Sequence, residues 1–178
     1  MNKLSFLNFL LAVISFSALS SCNRNSQKPP SGNANDTVLY YPYAPVYANG
    51  FQKGDPEHAQ KVLAIWKELE SGDLIHRSGY FADSISIILP DRIMRGKKDS
   101  ILRMMRKRWE TYSDVQCYID AWLSVHPNNR KEELVLLWGR QDLTEKNGKR
   151  EYQVLHEIWR FNTQGKIISW EQYQTHSY

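Results

Sequence analysis

The stretch LVLLWGRQDLTEKNGKREYQVLHEIWRFNTQGKIISWEQY, residues 134–173, decides the fold. Asn147-Gly148 sits between two segments rich in β-branched and aromatic residues, the strongest short hairpin signal. It predicts strands over 134–143 and 151–161, with a last strand over 166–173 after a turn at 162–165. Just upstream the period is also two. Val115, Cys117, Ile119, Ala121, Leu123 and Val125 alternate with Asp114, Gln116, Tyr118, Asp120, Trp122 and Ser124, as the two faces of one long strand do. The second half of the chain therefore reads as an antiparallel meander.

The part before it reads as helices. Asp55-Pro56 supplies an N-cap and a proline at the first helical position. Ala59, Val62, Leu63, Trp66 and Leu69 follow at helical spacing, and Ser71-Gly72 ends the helix. Asp73 caps a second, short helix reaching Phe81. Ile85, Ile87 and Leu89 alternate in a strand that turns at Pro90-Asp91. A short 92–95 segment leads to Gly96, after which Asp99 or Ser100 caps a helix presenting Ile101, Met104, Met105, Trp109 and Tyr112. Helices first and a meander afterwards predict an α+β domain, with helices on one face of an antiparallel sheet.

The chain has 178 residues, 42% apolar and 24% charged, with net charge +4, two cysteines, six Trp, ten Tyr and six Phe. That suits one domain plus extra chain and excludes collagen-like, coiled-coil and wholly disordered classes. Residues 1–21 carry one cation, Lys3, and then a mostly apolar run too short and interrupted for a permanent membrane helix, the pattern of a secretory signal. Leu19-Ser20-Ser21-Cys22 resembles a bacterial lipobox, which implies lipid attachment at Cys22 and an exported protein anchored to a membrane of the cell envelope. Residues 22–54 are then anchor and tether, polar at 23–35 and carrying Tyr40, Tyr41, Tyr43 and Tyr47 among prolines beyond. The folded domain is expected over 55–178. Its mild positive balance falls short of a nucleic-acid footprint.

Three segments resemble the nuclear transport factor 2-like superfamily, the cystatin-like cone shared by ketosteroid isomerases and SnoaL-like cyclases. They are Ser71-Gly72-Asp73-Leu74 at a helix end, Tyr80-Phe81-Ala82-Asp83 before the strand to Pro90, and Trp159-Arg160-Phe161-Asn162 before Gly165-Lys166-Ile167. Gly96-Lys97 ahead of the next helix also fits. The resemblance spans about 55–173 and implies a curved sheet wrapped around the N-terminal helices, with a pocket at the wide end. It also implies a pocket acid just before Arg-Phe-Asn, which here is Glu157. The isomerase base and helix tyrosine correspond to Leu89 and Ile65, neither able to move a proton, so steroid-type isomerisation is not expected.

Counting outward from a two-residue Asn147-Gly148 turn places Trp138 opposite Glu157 and Arg140 opposite Leu155. Counting from the 162–165 turn, with Phe161 opposite Lys166, places Trp170 opposite Glu157 and Ile168 opposite Trp159. The expected pocket is thus Trp66, Trp138, Leu155, Trp159 and Trp170 around Glu157, with Arg140 diagonal to it. A carboxyl among indoles is held toward its neutral form and serves as an acid near neutral pH, whereas an Arg140–Glu157 ion pair would serve structure alone. Two roles for the pocket follow: a site for a small apolar ligand, or a SnoaL- or isomerase-type enzyme using Glu157 with Arg140. A third reading is a cell-envelope protein-interaction module that docks a partner through the tyrosine arm or the basic helix.

Other candidates carry less. His156 points away from Glu157, and His58, His76, His126 and His176 share no ligand spacing, so no metal is expected; no cofactor motif occurs. Cys117 reads as a small buried hydrophobe. Asp91 reads as a solvated turn residue. Eight basic residues against Asp99 alone, between Arg92 and Arg108, suit anionic headgroups, an acidic partner in the envelope, or a solvated helix face. Val135, Leu137, Tyr152, Val154, Ile158, Ile167 and Tyr173 are expected on the outer sheet face, where they would need a second cover, as in a homodimer.

Overall fold

Residue order alone makes Asp55 a helix start, and the computed structural model, which describes residues 42–47 and 50–176, shows how. The Asp55 carboxylate accepts from the Glu57 backbone N–H at 2.8 Å, and α1 runs Pro56–Ser71. Such a cap contributes about 1 kcal/mol. Gly72 closes the helix at φ +76°, a left-handed conformation that glycine adopts without strain. The buried stripe of α1 is His58, Ala59, Val62, Ile65, Trp66 and Leu69. A 3₁₀ helix, Leu74–Tyr80, follows from an Asp73 cap. The expected signal, Cys22, the 23–35 tether, Tyr40 and Tyr41 lie outside the described residues.

Seven strands complete the domain: β1 Phe51–Lys53, β2 Phe81–Leu89, β3 Arg92–Lys97, β4 Tyr112–Pro127, β5 Glu133–Glu145, β6 Arg150–Phe161 and β7 Ile167–His176. They form one sheet in the order β1-β4-β5-β6-β7-β2-β3. All pairs are antiparallel except β2 with β7, the one departure from the expected antiparallel sheet. β1 is too short to show an alternation, and β3 occupies the segment expected to link Pro90-Asp91 to Gly96. Bulges in β4, at the β2–β7 junction and in β6–β7 bend the sheet around α1.

The second long helix, α2, spans Lys98–Trp109 and corrects the expected start. Its N-cap is Lys97, with no side-chain cap, so Asp99 lies inside the first turn. Ile101, Leu102 and Met105 are buried, while Met104 is half exposed and Tyr112 belongs to β4. The helix is thus rolled about its axis relative to the expected stripe. Trp109 locks it to α1 by donating its indole N–H to the Leu69 carbonyl at 2.6 Å.

The hairpin register departs from the two-residue count by one. Glu145 N–H donates to Lys149 O at 2.8 Å and Gly148 N–H to Glu145 O at 2.9 Å, with Gly148 at φ +89°. This is a three-residue loop with a left-handed glycine closing a bulge. Leu137 therefore faces Glu157 and Trp138 faces His156. A slip of one residue exchanges the faces of a strand, and it places Trp138 and Arg140 outside and Val135 and Leu137 in the core. On the other side Gln172, not Trp170, lies opposite Glu157, and Trp170 lies opposite Trp159. That shift is by two, so Trp170 stays inside as expected. A bulge at Phe161 turns Ile167 inward as well. The β4 bulge between Ile119 and Ala121 splits the expected continuous face, leaving Val115 and Cys117 inside and aligning Ala121 and Leu123 with Trp138 and Leu136 outside.

Candidate functional site

An apolar core accepts a carboxyl only where donors meet it. Glu157, on the central strand β6, is fully buried. Its Oε2 accepts the Trp66 indole N–H at 2.7 Å and the Trp159 indole N–H at 2.9 Å, and its Oε1 accepts the Gln172 amide at 3.0 Å. Helix α1 supplies Trp66, and Gly139 beneath that indole lets it lie against β5. Trp159 stacks on Trp170 with centroids 4.6 Å apart. No cation pairs with Glu157 among the described residues. Burial is the dominant influence on its carboxyl and raises it to about 7, against the downward pull of the Trp66, Gln172 and Trp159 donors and a weaker one from the Trp170 indole.

Of the expected pocket, Trp66, Leu155, Trp159, Trp170 and Glu157 do share the interior of the cone. Trp138 and Arg140 do not, because of the hairpin slip. Trp138 stacks on His156 at 4.8 Å, and Arg140 pairs with Asp120 at 3.2 Å beneath the Tyr118 ring. The diagonal Arg140–Glu157 contact is absent. The three indoles fill the cone rather than line an open space. What remains open is a crevice of about 20 Å³ at the wide end, about one water in size, bounded by Leu89, Met105, Trp109 and Trp170 and by Gln141, Gln153, Gln172 and Gln174.

Those glutamines are the residues that sequence reasoning missed. Gln141 and Gln153 are buried and directly opposite each other across β5–β6, and Gln172 bridges the crevice to Glu157. The signal was present: Gln172 and Gln174 continue the inward phase of Trp170, and Gln153 that of Leu155.

The remaining candidates are held elsewhere. Asp91 is exposed and paired with Arg92 at 2.7 Å and Arg108 at 3.1 Å, and Arg92 in particular holds its carboxyl below the usual range. Leu89 and Ile65 are buried apolar residues, as read. Cys117 is half-buried, with its thiol pushed up to about 12 by burial, which leaves no thiolate for nucleophilic work. His156 lies on the outer face. His58, in the first turn of α1, is buried, stacked on Phe161 at 4.1 Å and bonded to Glu133 at 3.0 Å. Among the described residues no group of three or more His, Cys, Asp or Glu could hold a metal, and no helix is long and apolar enough to cross a membrane.

A curled, open sheet wrapped on α1 is shared with solved structures. A putative SnoaL-like polyketide cyclase from Shewanella denitrificans superposes with TM-score 0.57 at 14% identity, covering 68% of this chain and 92% of that one. The fold is that of the nuclear transport factor 2-like proteins. Such a protein from Anabaena variabilis matches with TM-score 0.55 at 15% identity, over 68% of this chain and 90% of its own. An LEH-like epoxide hydrolase from Mycobacterium tuberculosis gives 0.55 at 15%, over 67% and 84%. At these identities the likeness is one of fold. No family model and no curated protein sequence matches the chain. In this domain the wide end of that fold holds amides and a buried acid.

Proposed function

We propose that the chain is an exported lipoprotein, held to an envelope membrane through Cys22, whose cone binds a small, partly apolar ligand at its wide end. One observation carries the ligand reading. Of the four buried polar residues among those described, three (Gln141, Gln153 and Glu157) gather at this end of an otherwise apolar core. Each crevice amide already donates within the fold, Gln141 to Cys117 Sγ, Gln153 and Gln174 to Glu151 and Gln172 to Glu157. The support for a ligand is therefore the convergence of polar groups on a crevice in an otherwise apolar core, the usual make-up of a small-molecule site. Leu89, Met105 and Trp109 offer its apolar part a surface, and the amides offer both donors and acceptors to its polar end. Entry requires the crevice rim to move outward.

Binding of a panel of small uncharged amides, lactones and alcohols, followed through tryptophan fluorescence and ligand-observed magnetic resonance, tests this. At least one compound should bind, and Gln174→Trp, which narrows the mouth, should weaken it at least about tenfold. A panel without a single binder, or binding indifferent to Gln174→Trp, rejects the site.

The near-neutral carboxyl of Glu157 favours a second reading, an enzyme of the SnoaL or isomerase type with Glu157 as general acid or base, and without Arg140. Loss of turnover on a bound panel compound in Glu157→Gln, with its binding retained, would distinguish it from simple binding.

The outer sheet face supports a homodimer. Trp122 lies on the α1 side, but Tyr118, Leu123, Trp138 and Tyr173 are 38–55% exposed on the outer face. Sedimentation at micromolar concentration should show a dimer that Trp138→Glu disperses; a wild-type monomer rejects it.

A further inference from the structure

The charge of this chain is concentrated in one place. Eight basic residues against Asp99 give the 92–108 segment +7 in a chain whose total is +4, so the remainder carries −3. The fold collects that segment on the sheet-edge strand β3 and on α2. Arg92 and Arg108 are paired with Asp91, Lys98 with Asp83 and Arg106 with Glu110. Arg95, Lys97, Arg103 and Lys107 have no acidic partner among the described residues.

Between β3 and α2 runs a groove of about 500 Å³ whose floor includes Met94 and Met105. Two large apolar side chains stand at its edge in solvent, Ile93 at 58% and Met104 at 50% exposure. Met104 and Lys107 lie one turn apart on α2, so an apolar tip and a free cation share one side of the helix. Pure solvation accounts for the cations but not for exposed isoleucine and methionine set among them.

We propose that this β3–α2 face docks on an anionic lipid surface, with Ile93 and Met104 entering the headgroup–acyl boundary and Arg95, Lys97, Arg103 and Lys107 meeting lipid phosphates. Flexible apolar tips ringed by long cationic side chains suit that boundary, where the charge stays hydrated while the apolar atoms leave water. The net negative remainder of the chain orients the domain with this face toward the membrane. Acylation of Cys22 is not required, so this docking and the anchor reading fail or stand separately.

The test uses the full chain carrying Cys22→Ser, sedimented with vesicles of phosphatidylcholine alone or with about one-third phosphatidylglycerol. Partitioning onto the anionic vesicles should be at least about tenfold stronger and should fall steeply with added salt. Arg103→Glu with Lys107→Glu should abolish that preference. Ile93→Ser with Met104→Ser should weaken binding several-fold while leaving its salt dependence. All four positions are exposed or rim residues, and thermal melts of each variant report that the domain is intact. Equal partitioning onto both vesicles overturns the proposal. So does an anionic preference that survives the charge reversal, or one unaffected by the serine pair, which would mark a generic contact for acidic proteins.

Discussion

Gly139→Ala is expected to lower unfolding stability by about 3 kcal/mol, a loss read directly from urea or thermal unfolding. Gly139 has ordinary extended backbone, so the cost is one of space. A Cβ there would sit 2.6 Å from the Tyr118 carbonyl oxygen and 2.8 Å from the six-membered ring of Trp66. The carbonyl belongs to the neighbouring strand next to the β4 bulge and has no freedom to retreat. The indole is held by packing and by its bond to Glu157, so moving it breaks a buried hydrogen bond besides. Trp66→Leu in the same chain should relieve part of the Gly139→Ala cost but not all, because the carbonyl contact remains. A loss under about 1 kcal/mol would show that β4 and β5 part more easily than the geometry allows.

Another glycine, Gly148, explains why the architecture was legible and the site less so. Alternation in β5 and β6, the Asp55-Pro56 start and the Gly72 stop are local signals, and each is set by backbone rules that hold without knowledge of the partner. Which face of β5 looks inward depends instead on one loop residue. Asn147-Gly148 suits a two-residue turn, but Gly148 closes a three-residue loop, and that single step exchanges Trp138 and Arg140 for Leu137 and Gly139. The β7 count was also off, by two, yet Trp170 kept its side because the period of a strand is two. Glu157 was legible through the Arg-Phe-Asn resemblance, its donors only in part. Trp66 meets it across 91 residues of sequence, a pairing no local pattern encodes. The burial of Gln141 and Gln153 went against composition, since amides in strands usually face water.

Glu157 should make the domain less stable as pH rises from about 4.5 to 7, by about 3 kcal/mol in total. The sign follows from its carboxyl standing higher in the fold than in the open chain. Below the open-chain value both states hold the proton and the full contribution is present. Between the two values the unfolded chain releases its proton while the native state retains it, so unfolding gains. Above the folded value both are ionised and the dependence ends. Other groups titrate in the same window, so the informative quantity is the difference between wild type and Glu157→Gln. The glutamine oxygen can still accept both indole N–H groups, and Gln172 can turn its amide to accept from the new NH₂. That variant should match wild type near pH 5 and exceed its stability above pH 7. Glu157→Leu leaves the Trp66, Trp159 and Gln172 donors without their acceptor and should cost about 3 kcal/mol at pH 5, a gap that narrows toward pH 8 as the wild-type carboxylate becomes charged in place. Parallel stability curves for wild type and Glu157→Gln from pH 4.5 to 8 would mean that the carboxyl titrates normally, and that water or a mobile Gln172 reaches it from the crevice.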